Sequence, residues 1–472
     1  MAFRVRPLKP WRHPRLWWLR YQKQLWRWGI IAGLLFFSAV FSFVLPERFQ
    51  KILLVLPFAA GGVMLLFRWP PLGFILLLVA TMGVRIWLPP VGITAAILMG
   101  LTGLWIVDMA VRKRKISIIA SPTIWPLIFF VAVTIFAFLM GQLPWFPTSP
   151  APMDAQIGGL FIFVLSFCAF LLTAHQIRET HWLKWLVTYF LIHGGLLVFV
   201  EVVFGIQVMW NIVPLSLLGG SMYWTWLIAM SFSQAMFNKE LKPHWRILLA
   251  LIVVGVLYLK FYKGRGWSSG WIPGLIAIAA ILWVARPRTA VLLSALALIA
   301  AVFAFPQLYN LVFVGDNQYS ATTRVAAWQI VFEIARVNPI LGLGPANYYF
   351  YTPLFNILGW HVQFNSHNNY VDIIAQTGIL GLACFVWFVT AVSRMGWRLR
   401  MSVPTGGFEQ AFVYGTLGGL MATVLAGMLG DWVLPFVYNI GLAGMRASIL
   451  PWLFLGGMLA LEQIIKAQKA QS

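Results

Sequence analysis

Acidic residues are scarce in this chain, with 12 Asp and Glu against 34 Lys and Arg, and charged residues of either sign make up only 10% of it. A water-soluble domain of comparable size carries far more charge on its surface. Cysteine is nearly absent too. Cys168 and Cys384 both fall within apolar runs, which excludes a disulfide framework and a cysteine-ligated cluster. No Asp-x-Asp, His-x-x-x-His or Cys-x-x-Cys accompanies the chain's main polar stretch, so no metal ion or other cofactor is expected. The phosphate loop Gly-x-x-x-x-Gly-Lys is missing, and the polar connections are too short to house a nucleotide domain, which argues against ATP-driven transport. Serine-hydrolase signatures are missing as well.

What the chain has instead is apolar length. Hydrophobic residues reach 61% and the mean hydropathy is +0.84. Runs of about 20 such residues are the mark of membrane-crossing helices. The expected architecture is an all-α integral membrane protein of about 14 spans (12–14), with both termini cytoplasmic. A basic segment over 1–27 leads into spans one to eleven over 28–305. A long extracytoplasmic loop follows at 306–369, then spans twelve to fourteen over 370–464 and a tail at 465–472. The first apolar run lacks a small-residue cleavage site and reads as a retained span.

In a soluble chain a net charge of +22 would suggest nucleic acid. Here most basic residues gather in short connections on one side, among them Arg4, Arg6, Lys9, Arg12, Arg15, Arg20, Lys23 and Arg27 at the start. That bias orients a membrane protein, and no nucleic-acid partner is expected beside the lipid bilayer.

One stretch, 320–381, concentrates polar chemistry. An amphipathic run, Ala321–Val337, ends before Asn338-Pro339, where proline disfavours further helix. Thr322, Gln329, Glu333 and Arg336 form its wet face, while Arg324 falls with Trp328, Val331 and Ala335 on the apolar side. A cation there either snorkels from a helix end or meets an anion. His367 stands in Asn365-Ser366-His367-Asn368-Asn369. It either caps the helix that begins there or, titrating near neutrality, serves as a proton acceptor. Upstream, Lys260, Lys263 and Arg265 cluster on the side that should be poor in cations. They either anchor at the interface or ask for an anionic partner such as a lipid phosphate.

Arg324-x-x-x-Trp328, the turn Asn338-Pro339-Ile340-Leu341-Gly342-Leu343-Gly344, and Ser366-His367-Asn368-Asn369-Tyr370 through Thr377-Gly378-Ile379-Leu380-Gly381 resemble the O-antigen ligase and polymerase superfamily of bacterial membrane glycosyltransferases. The likeness covers about 60 residues. It implies a fold of the C-type glycosyltransferase kind in the bacterial cytoplasmic (inner) membrane, with the active site on the periplasmic or extracellular side. The implied reaction moves a glycan from a polyprenyl-diphosphate donor to an acceptor hydroxyl, metal-independently and with inversion. By the same resemblance His367 is the catalytic base or acceptor-orienting residue, and Arg265 and Arg324 bind the diphosphate. Lys263 and Asn368 are candidates for supporting roles. Tyr348, Tyr349, Tyr351 and Trp360 either stack on sugar rings or form an interfacial belt. Asp372 either orients His367 or stabilises its helix N-terminus. Ligase, polymerase and protein O-oligosaccharyltransferase differ in acceptor: lipid A-core, growing glycan or protein. A carrier or flippase for lipid-linked glycans is the alternative of another class.

Overall fold

The computed structural model describes residues 25–33, 35–36, 47–83, 92–213, 215–218, 220–264, 268–313 and 316–471. Two compact units partition the chain, Met1–Pro70 and Pro71–Ser472. The first contains a helical stretch at 25–33 and helix α1, Glu47–Arg68. Most of the expected basic N-terminal segment, and most of the first expected span at 28–45, lie outside the described residues.

The second unit is all helical apart from an isolated bridge between Ile357 and Trp360 among the described residues. Its principal helices are α2 (Leu72–Gly83), α3 (Ile93–Val107), α4 (Ile124–Met140), α5 (Met153–Gln176), α6 (Thr180–Val203) and α7 (Ser221–Phe237). These are followed by α8 (Pro243–Leu257), α9 (Ser268–Ala285), α10 (Pro287–Phe303), α11 (Asp316–Ala335), α12 (Asn369–Leu399), α13 (Phe408–Leu429) and α14 (Met445–Gln471). Among the described residues seven helical segments are long and apolar enough to cross a membrane: Ile93–Arg112, Met153–Gln176, Thr180–Val203, Pro243–Lys263, Asn369–Leu399, Phe408–Leu429 and Gly441–Gln471. This is a multi-pass membrane protein. Shorter apolar helices, including Ile124–Met140, Ser269–Ala285 and Pro287–Phe303, accompany them.

Helices that are apolar all round belong in the middle of such a bundle, and α7, α13 and α14 occupy it. Trp224, Trp226, Phe412 and Trp452 are wholly buried there. Small residues bring the backbones close, since lipid gives no hydrophobic drive for association. In α13, Gly415 packs on Ser233 and the carbonyl of Ala229, and Gly419 lies under the Trp226 ring. Helix α10, by contrast, exposes Leu292, Leu296, Leu298 and Val302, a face suited to acyl chains.

The expected loop at 306–369 is largely folded. It holds the helix Phe305–Phe313, all of α11 and the short turn Tyr348–Tyr351. Helix α11 starts five residues before the amphipathic run expected at 321. It ends at Ala335, just before Asn338-Pro339.

Candidate active site

The site is built on a broken helix. Gly378 interrupts α12 with φ +68° and ψ −172°, a combination essentially restricted to glycine. The break frees carbonyls that a second element takes up. Leu343 and Gly344 donate their N–H groups to the carbonyls of Ala375 and Gln376 at 2.9 and 3.1 Å, while Ile379 and Leu380 donate to Pro339 and Ile340 at 2.9 and 3.3 Å. Asn338 closes the turn on itself, its side chain donating to Gly342 O at 2.8 Å and its carbonyl accepting from Gly342 N at 2.9 Å. Gly342, at φ +71°, must be glycine because a Cβ would lie 2.6 Å from the backbone at 376–378. The glycines of the two motifs therefore meet each other. They lock the 338–344 turn into the kink of α12.

Asn368 caps α12, its side chain accepting from Tyr370 N and Val371 N. This bears out the expectation that the 365–369 segment starts a helix. His367 just before it has φ +49°, an uncommon left-handed conformation for a non-glycine residue. The neighbours on both sides hold it there. Trp328 Nε1 donates to Ser366 O at 2.7 Å, and the Ser366 hydroxyl donates to Asp372 Oδ1 at 2.7 Å. Tyr348 places its hydroxyl between Ser366 N, from which it accepts, and Asp372 Oδ1, to which it donates. On the other side Asn369 donates to Leu434 O at 2.7 Å and accepts from Val433 N at 2.9 Å. These bonds fix the backbone around a half-buried imidazole.

Arg324 lies one turn of α11 before Trp328. Its guanidinium donates to Leu429 O at 3.0 Å, at the C-terminal end of α13. Asp431, two residues beyond, is fully buried, and each of its oxygens accepts a hydrogen bond at 2.8 Å, from Phe436 N and from Asn439 Nδ2. Those donors favour the carboxylate, although burial pushes its pKa up. Burial lowers the pKa of His367, with Arg324 also lowering it and Asp431 raising it. Arg324 is itself lowered by burial and raised by Asp431. A cation, an imidazole and a carboxylate thus share one electrostatic environment. Burial favours the neutral imidazole, while the nearby Asp431 carboxyl group favours its protonated form.

The structure distributes the other expected residues widely. Arg265 lies outside the described residues. Lys263 is exposed, its ammonium 5.3 Å from the Tyr258 ring. Lys260 does not await a lipid phosphate, because it is buried, paired with Glu201 at 3.2 Å and seated 4.1 Å from the Trp224 ring. Tyr348 and Tyr351 are buried, which closes their rings to a ligand; the burial of Tyr348 raises its pKa well above 10, keeping the hydroxyl a donor. Tyr349 stacks on Tyr438 at 4.7 Å, whereas Trp360 is 71% exposed. Asp372 braces Ser366 and Tyr348 through the bonds above. Asp431 was not singled out from sequence; the only signal was its place in the connection 430–446, between two apolar runs.

Fold and site together describe a multi-pass helical membrane protein with a basic and imidazole-bearing site at one end of its bundle. Residues 245–386 match the family model described as O-antigen ligase, which supports the resemblance of this part of the chain to the O-antigen ligase/polymerase superfamily. The matched segment includes Arg265, Arg324 and His367, and ends before Asp431. No curated protein matches the chain. The family consists of membrane enzymes of the glycosyltransferase type.

Proposed function

We propose that this protein transfers a glycan from a polyprenyl-diphosphate carrier to an acceptor hydroxyl on the outer face of the cytoplasmic membrane. The observation that carries the reading is the grouping of His367, in its left-handed conformation, with Arg324 and buried Asp431. In the proposed step the acceptor oxygen attacks the anomeric carbon as the bond to the bridging phosphate oxygen breaks. The acceptor's proton passes to the His367 imidazole, and Asp431 stabilises the imidazolium that results. The bond's electron pair leaves with the diphosphate, whose growing charge Arg324 neutralises, joined by Arg265. A single displacement inverts the anomeric configuration. Two arginines supply the charge that a divalent ion provides in many transferases, so the step runs without metal.

Asn368 and Asp372 act by holding the backbone on which His367 sits. Tyr349 and Trp360 are the aromatic groups open to a sugar, since Tyr348 is committed to Asp372. Purified protein given a polyprenyl-diphosphate glycan in EDTA, with lipid A-core, free glycan and peptide acceptors in parallel, tests this. Transfer to one acceptor is expected and would distinguish ligase from polymerase and from protein transferase. Movement of the donor across a bilayer, undiminished by loss of His367 and with no transfer to any acceptor, would support a carrier instead.

A further inference from the structure

At the opposite end of α12 from His367 lies a second site made for a different ligand. After Gly378 the helix runs on to Leu399, roughly 30 Å at 1.5 Å per residue, enough to cross the hydrocarbon by itself. Arg394 and Arg398 stand one turn apart near its end, both exposed. They line a cavity of about 620 Å³ with Pro122, Trp387, Ser393 and Trp397. No carboxylate lines it, and no ion pair to either arginine is found among the described residues.

A second cavity of about 420 Å³ shares Ser393 and Trp397 with the first and is almost entirely apolar. Helix α9 supplies Ile276, Ala279, Ala280 and Trp283, and α13 supplies Leu417 and Met421. Ala279 and Ala280 bring only small side chains to this furrow. Trp397, which joins the two cavities, is held in place by Arg400, whose guanidinium lies 3.6 Å from the ring and donates to Val284 O at 3.2 Å. That bond also ties the end of α12 to α9.

We propose that this pair of cavities binds an anionic phospholipid on the membrane face opposite His367. The phosphate lies between Arg394 and Arg398, and one acyl chain lies in the furrow between α9, α12 and α13. Charge and shape both call for such an occupant: two cations with no protein counter-ion among the described residues stand at the membrane boundary, beside an apolar groove that shares Ser393 and Trp397 with their cavity. A zwitterionic lipid offers the same chains but brings its own cation to the arginines. A water-soluble phosphate would leave the furrow unfilled.

The test is native mass spectrometry of the full chain in detergent, titrated with dioleoylphosphatidylglycerol or dioleoylphosphatidylcholine, alongside thermal unfolding in each lipid. Wild type should retain phosphatidylglycerol in preference and unfold at a higher temperature in it. Arg394→Gln and Arg398→Gln should each weaken retention about fivefold, as expected for one basic residue near an anionic headgroup. Ala280→Trp, which fills the furrow and leaves the arginines intact, should also reduce retention. Equal retention of both lipids by wild type, or an anionic preference unchanged in the double arginine variant, would overturn the proposal. Stabilisation by glycerol 3-phosphate equal to that by the lipid would overturn it as well.

Discussion

Replacing Gly378 with alanine should damage both the fold and the site, by an amount the geometry sets. At φ +68° an added Cβ would lie 2.1 Å from Ile340 O and 2.6 Å from Leu341 N, both backbone atoms of the docked turn. Neither can rotate away as a side chain would. Backbone strain of about 1–3 kcal/mol, plus loss of two of the four hydrogen bonds between turn and kink at about 1 kcal/mol each, gives roughly 3–5 kcal/mol. That is a large share of the stability of an ordinary domain. Gly359 supplies the contrast: its φ is +92°, but nothing lies within 4 Å of the added Cβ. Gly359→Ala should therefore cost only local strain of about 1–2 kcal/mol. Thermal unfolding in detergent, read beside glycan transfer, measures both. Should Gly378→Ala unfold at the wild-type temperature and keep full transfer, the turn–kink lock would not support the site as argued.

Other predictions concern the charges around His367 and the bonds that hold it. A base whose free pKa is lowered by burial is active when neutral, so the acid limb of kcat/KM should fall below pH 6.5. Arg324→Gln removes a cation that lowers that pKa and should move the limb to higher pH, while Asp431→Asn removes an anion that raises it and should move the limb lower. A pH–rate profile of the two variants checks this, and shifts in the same direction would refute the assignment. Trp328→Phe keeps the ring but removes the donor to Ser366 O, costing about 1–3 kcal/mol. Transfer should fall while donor affinity holds, as separate kcat and KM measurements would show.

The helices were largely legible because apolar length is a strong local signal. The apolar runs at 124–143, 157–174, 185–204 and 409–429, each read as a span, fall on helices α4, α5, α6 and α13. The break in α12 was not legible. Thr377 and Ile379 continue the helical pattern on either side, and the force that opens the helix comes from a turn more than 30 residues earlier. Asp372 illustrates the same limit. Its position one turn past His367 left open contact with the imidazole or stabilisation of the helix N-terminus, and the hydrogen bonds it accepts come from Tyr348 and Ser366, which sequence spacing could not name. Arg324 on an apolar face left snorkelling or an anion open; its guanidinium bonds Leu429 O, and Asp431, the carboxyl group that raises its pKa, comes from beyond α13. The partner of Lys260 is likewise 59 residues away, on α6. Periodicity reports which face is buried, and it carries no information about which distant group will meet it.

The most direct test of the account is single-turnover transfer from a polyprenyl-diphosphate glycan by wild type and by His367→Asn. Asparagine tolerates the left-handed backbone at this position and removes the proton acceptor. The account predicts a fall of about 10²-fold or more, in line with the usual contribution of a positioned base, with the variant still folded and still binding donor. A folded His367→Asn protein that transfers within a fewfold of wild type would contradict it.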